Sequence, residues 1–109
     1  MSPALQFTAL ADETRCQLVE MLSDGPRPVH ELAAAFAISR PAVSRHLRLL
    51  REAGLLSEKK QGRENVYALR RGRLKALSAW LDRHWSVRLN RLKQLAEATA
   101  PKPQMELDL

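Results

Sequence analysis

Residues Glu31 to Leu56 read ELAAAFAISRPAVSRHLRLLREAGLL, and this pattern predicts two short helices joined by a tight turn. The first predicted helix, His30 to Phe36, has apolar residues at a spacing that forms one stripe. The second, from about Arg40 to Ala53, begins after an N-cap serine, Ser39, and has a proline in its first turn. It ends before Gly54, which can adopt the positive φ of a helix C-terminus. The stretch therefore predicts a helix-turn-helix.

The second helix of this pair has two different faces. At about 100° per residue, Val43, Leu47 and Leu50 share one apolar face, which predicts that they are buried in a core. The opposite face carries guanidinium groups and a hydroxyl, as a helix that reads a DNA groove does. The candidate DNA-binding residues in this helix are Arg40, Pro41, Ser44, Arg45 and Arg48.

The positive charge is concentrated in one third of the chain. The 109 residues have a net charge of +6, and residues 40–75 alone carry eleven Lys and Arg against three Glu. Scattered lysines would indicate only a basic protein. This concentration, in the segment that holds the helix-turn-helix, is typical of a surface that binds nucleic-acid phosphates.

A basic β-hairpin is predicted directly after the helix-turn-helix. The segments Leu55–Lys60 and Arg63–Leu69 contain β-forming residues, and Gln61-Gly62 between them predicts the turn. A hairpin in this place is typical of a winged helix, and its basic tip suits phosphates or the minor groove. The candidate DNA-binding residues of this wing are Lys59, Lys60 and Arg63.

Two further helices are predicted before the helix-turn-helix. One spans Pro3 to Ala11, and the next is capped by Asp12 and runs to Ser23. The predicted fold is therefore mainly α, a winged helix-turn-helix in the order α-α-α-α-β-β-α. We expect residues 1–99 to form one domain. Residues 100–109 have two prolines and no periodicity, so they are predicted to be a disordered tail.

The last predicted helix, about Arg73 to Glu97, repeats apolar residues every three or four positions. It would be nearly 40 Å long at about 1.5 Å per residue, longer than so small a core can cover alone. We therefore expect it to pack in a two-fold dimer, which would also bring two recognition helices to successive major grooves. The candidate dimer-interface residues are Leu5, Leu77, Leu81, Trp85, Leu89 and Leu92.

Three segments resemble the ArsR/SmtB family of bacterial winged-helix repressors. They are LADETR at Leu10 to Arg15, VHELAAAFAISRPAVSRHLRLLREAGLL at Val29 to Leu56, and GRENVYAL at Gly62 to Leu69. The resemblance implies a homodimer whose fourth helix enters the major groove and whose first and last helices form the interface. It also implies repression of transcription that a ligand releases.

Each metal site that this resemblance implies can be tested against the sequence. The arsenic and cadmium sensors of the family place a Cys-x-Cys pair in the third helix, where Leu32 to Phe36 has no thiol. The zinc site of the last helix would begin with Asp82 and His84, but its second pair of positions holds Leu95 and Ala98. Two ligands are fewer than zinc normally takes from a protein. We therefore predict no metal and no cofactor.

The sequence predicts a repressor that binds a pseudo-palindromic double-stranded DNA operator as a homodimer, without metal sensing and with any inducer unidentified. We predict that it is not an enzyme, because no Ser-His-Asp set, glycine-rich phosphate loop or paired catalytic carboxylates is present. The single Cys16 and the lack of a signal peptide or apolar membrane run predict a cytoplasmic, nucleoid-associated protein. Two alternatives remain open: a metal- or redox-responsive sensor of the same fold, and a winged-helix module that binds proteins.

Overall fold

The computed structural model describes residues 3–99. In this part of the chain the helices and strands follow the order α1 (Ala4–Leu10), α2 (Glu13–Leu22), β1 (Arg27–Pro28), α3 (Val29–Ala34), α4 (Arg40–Glu52), β2 (Leu56–Gln61), β3 (Glu64–Leu69) and α5 (Arg71–Thr99). This architecture confirms the mainly α, winged helix-turn-helix prediction. The predicted tail, 100–109, lies outside the described residues.

The backbone divides into two compact units, and the boundary between Leu77 and Ser78 lies inside α5. One domain over residues 1–99 therefore stays a prediction. The core of the first unit forms where α2, α3, α4 and the sheet meet, around Leu18, Leu32, Leu47 and Leu55. Burying each leucine stabilises the fold by about 1.5–3 kcal/mol. No helix among the described residues is both long enough and apolar enough to span a bilayer.

Helix α4 begins and ends as its sequence predicts. The hydroxyl of Ser39 accepts a hydrogen bond of 3.2 Å from the backbone N–H of Ala42, which satisfies a free donor of the first turn. At the other end, the Leu55 N–H donates to Leu50 and the Gly54 N–H donates to Arg51, the paired bonds of a Schellman motif. Gly54 has a φ of +84°, which glycine adopts without strain.

The predicted apolar face of α4 is confirmed, because Val43, Leu47 and Leu50 are fully buried. Helix α2 is also capped as predicted, since the Asp12 carboxylate accepts from the backbone N–H of Arg15 at 3.0 Å. These two helices present their apolar sides to the same core. The opposite, exposed face of α4 therefore points away from this core.

The predicted β2–β3 hairpin is confirmed, and a third strand that was not predicted extends it into a sheet. β1 pairs with β3 in an antiparallel register that places Arg27 opposite Tyr67 and Pro28 opposite Val66, so the strand order is β1-β3-β2. This strand has only two residues and one of them is proline, so no alternating pattern marks it in the sequence. Strand β1 leads directly into α3, which ties the helix-turn-helix to the wing.

The wing turn lies one residue later than predicted. Gln61 pairs with Glu64, so Gly62 and Arg63 form the two-residue loop. Gly62 has a φ of +63°, the positive value that short hairpin loops need. The predicted wing residue Arg63 is therefore in the loop itself, rather than at the start of a strand.

Candidate nucleic-acid interface

The exposed face of α4 carries the side chains that are predicted to contact DNA. Arg45 and Arg48 are exposed, and within residues 3–99 neither guanidinium has a hydrogen bond or an ion pair. Pro41 is exposed in the first turn, and the half-buried Ser44 immediately precedes Arg45. Two guanidinium groups three positions apart lie on one side of a helix and offer ten N–H donors between them. This face can bind base edges or phosphates.

The C-terminal end of α4 is held by the first helix. The amide of Gln6, buried at 7% exposure, donates a hydrogen bond of 3.0 Å to the carbonyl of Ala53. Ala53 is the C-cap of α4, where carbonyl groups lack partners within the helix. Helix α1 therefore supplies the donor that α4 cannot supply itself, and the sequence pattern gave no sign of this contact.

A network around Arg15 holds the middle of α4 against the first two helices. The Arg15 guanidinium donates to the carbonyl of Ala9 at 2.5 Å, and it lies 3.1 Å from Nδ1 of His46 on α4. The same His46 nitrogen is 3.9 Å from the carboxylate of Asp12. The backbone N–H of Arg15 lowers the pKa of Asp12, and the positive guanidinium adds to this effect. His46 thus packs between helices, as its position on the margin of the buried face indicates.

The basic residues of the wing have no hydrogen-bond or ion-pair partner within residues 3–99. Lys59, Lys60 and Arg63 are exposed, and in the described part of the chain no acceptor binds their charged groups. They lie at the loop end of the β2–β3 hairpin, where Lys60 pairs with Asn65 across the strands. Their charged groups are therefore available to a phosphate, and DNA binding by the wing stays a prediction.

One carboxylate of β2 connects the wing to α4. Glu58 accepts a hydrogen bond from Tyr67 at 3.1 Å, and it also accepts from Asn65 and pairs with Arg51 of α4. Burial raises the pKa of Tyr67, and the adjacent Glu58 charge raises it further. Arg51 is thereby occupied within the protein, unlike Arg48 on the preceding turn.

A second carboxylate, Glu64 of β3, was missed by the sequence analysis. It accepts from the backbone N–H of His30 at 2.9 Å, lies 2.7 Å from Nδ1 of that residue, and pairs with Arg40 at 3.1 Å. The backbone N–H of His30 lowers the pKa of Glu64, and the His30 ring lowers it further. Arg40, a predicted DNA-binding residue, is therefore paired with Glu64. No local pattern reveals this cluster, because its members are 24 and 34 residues apart from Glu64.

The structure separates the positive charge that the sequence analysis treated as one footprint. The wing loop and the start of α5 lie at opposite ends of the hairpin, about 20 Å apart at 3.3 Å per residue. The distal group includes Arg71, whose guanidinium donates to the carbonyl of Ser23 at 2.7 Å. The other distal cations are Arg70, Arg73 and Lys75. The candidate DNA surface is therefore α4 and the wing tip, not the whole of residues 40–75.

Two side chains that could ligate a metal, His84 and Cys16, have other hydrogen-bond partners. Nδ1 of His84 donates to the carbonyl of Trp80 at 2.9 Å, and the two rings stack at 4.3 Å. The Cys16 thiol is half-buried and donates to the carbonyl of Leu10 at 2.9 Å. Across residues 3–99, no three His, Cys, Asp or Glu side chains lie close enough together to hold a metal ion.

The predicted dimer-interface residues differ in exposure. Trp85, Leu89 and Leu92 are 49%, 45% and 58% exposed on α5, although all three are large and apolar. Leu5 of α1 is 58% exposed as well, whereas Leu77 and Leu81 are half-buried. Exposed apolar side chains in a row are typical of a surface that another protein chain covers.

Comparisons with a family model and with known proteins point to the same family. A family model described as "Bacterial regulatory protein, arsR family" matches residues 12–58. The HTH-type transcriptional regulator Rv2034 of Mycobacterium tuberculosis is 43% identical over 89% of this chain and 91% of its own length. The arsenical resistance operon repressor of Escherichia coli is 48% identical over 62% of this chain, which spans 58% of that repressor.

A solved structure agrees with this family. The crystal structure of a possible transcriptional regulator for arsenical resistance superimposes with a TM-score of 0.72 and is 44% identical. The match covers 86% of this chain and 96% of the other. These relatives are regulators of transcription, which confirms the prediction that the chain is not an enzyme. Because it covers more than 90% of the Mycobacterium tuberculosis regulator and of this solved structure, each above 40% identity, the chain belongs to the ArsR family of bacterial DNA-binding transcriptional regulators.

Proposed function

We propose that the protein is a repressor that binds a pseudo-palindromic operator as a homodimer, through α4 and the wing, and that it does so without metal. The observation that carries this proposal is the exposed face of α4, where the guanidinium groups of Arg45 and Arg48 have no partner within residues 3–99, while the opposite face of the helix is fully buried. A helix held in this way can enter a major groove as a rigid reader.

Within this proposal, the residues have different tasks. Arg45 and Ser44, near the N-terminal half of α4, read base edges, since that part of a recognition helix reaches furthest into the groove. Arg48, Lys59, Lys60 and Arg63 bind backbone phosphates, which carry most of the affinity and little of the sequence preference. Pro41, in the first turn of α4, lies against the DNA backbone, and Arg40 contributes positive charge at the same place.

Homodimerisation is supported by the apolar residues that α5 leaves exposed. Trp85, Leu89 and Leu92 follow one another at intervals of four and three residues, so they share one face of the helix. Together with Leu81, Leu77 and Leu5 they form the proposed interface. A two-fold dimer presents the same helix twice, so we propose that its operator repeats in inverted orientation.

Independence from metal is supported by the residues at the positions where the family resemblance would put ligands. Helix α3 contains no thiol, and the chain has only one cysteine. Asp82 and His84 are exposed on α5, and Leu95 and Ala98 occupy the positions of the second ligand pair. The Escherichia coli relative is named for arsenical resistance, so a metal-responsive sensor is the second candidate.

One set of measurements separates these candidates. The protein is used to select sequences from a random duplex library, and its affinity for the enriched duplex is compared with that for an unrelated duplex of equal length. The repressor proposal expects at least about 10³-fold preference and a steep fall of affinity with salt. Equal affinity for the two duplexes would refute it. Operator affinity that zinc lowers and chelator restores would support the metal-responsive sensor instead.

A further inference from the structure

Glu64 is an acidic residue in the middle of a basic surface. It follows Arg63 of the wing loop directly, and its carboxylate pairs with Arg40 at the start of α4. On charge alone, a carboxylate at this place repels DNA phosphates and reduces affinity. We therefore expect Glu64 to make a favourable contribution to DNA binding that outweighs this repulsion.

The hydrogen bonds that Glu64 accepts indicate what this contribution is. The N-cap of α3 is Pro28, which offers no side-chain acceptor, so the first N–H groups of α3 need another partner. Glu64 supplies it from the wing, accepting from the His30 N–H at 2.9 Å and lying 2.7–2.8 Å from the His30 ring. A carboxylate at a helix N-terminus also interacts favourably with the helix dipole.

The same carboxylate also reaches the second helix of the helix-turn-helix. Arg40 is the first residue of α4, and its guanidinium donates to Glu64 at 3.1 Å. A single side chain of β3 therefore joins the N-terminal ends of α3 and α4. The short β1–β3 pairing at Pro28 and Val66 runs into the same corner, so the wing and the two helices meet there.

We propose that Glu64 is a positioning residue for operator binding: its carboxylate fixes where the wing loop and Arg40 lie relative to the recognition helix. The inference rests on the proposed function, in which α4 and the wing bind one operator half-site together. It assigns to Glu64 a favourable effect on affinity, opposite in sign to the effect of its charge.

The positioning effect of Glu64 raises operator affinity and its charge lowers it, so a substitution at this residue tests the inference. Affinity for the selected duplex is measured for the parent, for Glu64→Gln, and for the matched control Glu52→Gln. The control removes an exposed carboxylate of α4 that has no partner among the described residues. Glu64→Gln should bind about three- to tenfold more weakly, because charge-assisted hydrogen bonds are lost. Glu52→Gln should bind as tightly as the parent or more tightly. Affinity of Glu64→Gln equal to or above that of the parent overturns the inference.

A second variant covers the case in which Glu64→Gln does not fold, as monitored by circular dichroism. His30→Ala keeps the backbone bond to Glu64 and the Glu64 charge, and should weaken binding about two- to threefold. If Glu64→Gln is unfolded, an unchanged affinity of His30→Ala overturns the inference.

Coupling to the wing distinguishes positioning from a general loss of stability. Arg63→Ala is added to the parent and to Glu64→Gln, and its effect should be smaller in the second background, where the wing is no longer held. Equal losses in both backgrounds overturn the positioning role. A parent that selects no sequence overturns the proposed function and this inference with it. A parent that binds tightly while Glu64→Gln binds equally well overturns the inference alone.

Discussion

The side chain of Gln6 donates a hydrogen bond to the carbonyl of Ala53, 47 residues away, at 3.0 Å. This buried bond caps the C-terminal end of α4 with a residue of α1. The first helix thereby stabilises the end of the helix that is proposed to read DNA. Because this bond joins the two helices, a shift of α1 would also affect the C-terminal end of α4.

Removing this donor should destabilise the fold. We expect Gln6→Leu to lower the free energy of unfolding by about 1–3 kcal/mol, because a buried carbonyl loses its partner. Urea denaturation at one fixed protein concentration measures the change. The control is Gln17→Leu on the exposed side of α2, which should cost less than about 0.5 kcal/mol. Equal effects of the two changes would contradict the assigned role of Gln6.

Asp12 should make stability depend on pH in the acidic range. Its pKa is lowered in the folded state by the N–H of Arg15, so its contribution is complete above the unfolded pKa of about 4. That contribution is lost as pH falls through the lower, folded pKa. Asp12→Asn keeps an oxygen that can accept from the same N–H but cannot ionise. The stability difference between parent and Asp12→Asn should therefore shrink as the pH is lowered from neutral to acid, and a constant difference would contradict this account.

The helix-turn-helix could be predicted from the sequence because its limits depend on local chemistry. Ser39 caps α4 through a bond to Ala42, three residues on, and Gly54 ends it through backbone bonds within five residues. The apolar face was equally predictable, since Val43 and Leu47 follow the helical period. Signals of this range are contained in a short stretch of chain.

The contacts that position the site could not be predicted in the same way. Glu64 meets His30 across 34 residues, and Gln6 meets Ala53 across 47. Such pairs depend on how elements pack, which no periodicity encodes. Strand β1 was missed for a related reason, because its two residues are a strand only through their pairing with β3.

Arg45 should determine sequence preference. In the proposed interface it pairs with a base edge, so Arg45→Ala should cost about 1–3 kcal/mol on the selected duplex and relax the preference at one position per half-site. Repeating the selection with the variant measures this directly. If Arg45→Ala weakens the affinity for all DNA sequences equally, Arg45 contacts a phosphate instead of a base.

Arg63 should contribute affinity without sequence preference. Because the proposed contact is to a phosphate, Arg63→Ala should weaken binding and reduce the slope of log affinity against log salt by about one unit. Fluorescence anisotropy over a salt series measures both quantities. Arg70→Ala, a cation at the other end of the hairpin, is the matched control and should leave the slope unchanged. An unchanged slope for Arg63→Ala would remove the wing loop from the interface.

The apolar face of α5 should hold the dimer without metal. A charge placed at Trp85 or Leu89 would have to be buried in the proposed interface, so Leu89→Glu should give a monomer and weaken operator binding along with it. Val87→Glu is the control, because Val87 is 67% exposed and lies two positions from both Trp85 and Leu89, on the other side of the helix. Light scattering during size exclusion measures the mass of each variant. A dimer of Leu89→Glu that remains intact would place the interface elsewhere.

The same preparations test whether metal takes part. The parent and the double variant Asp82→Ala/His84→Ala should have equal mass and equal operator affinity with chelator and with excess zinc. The reason is that the two side chains would supply only two ligands, and the His84 ring is already hydrogen-bonded through Nδ1 to Trp80. If zinc changes the operator affinity of the parent tenfold or more and leaves that of the double variant unchanged, Asp82 and His84 bind metal and the proposed metal-independent function is wrong.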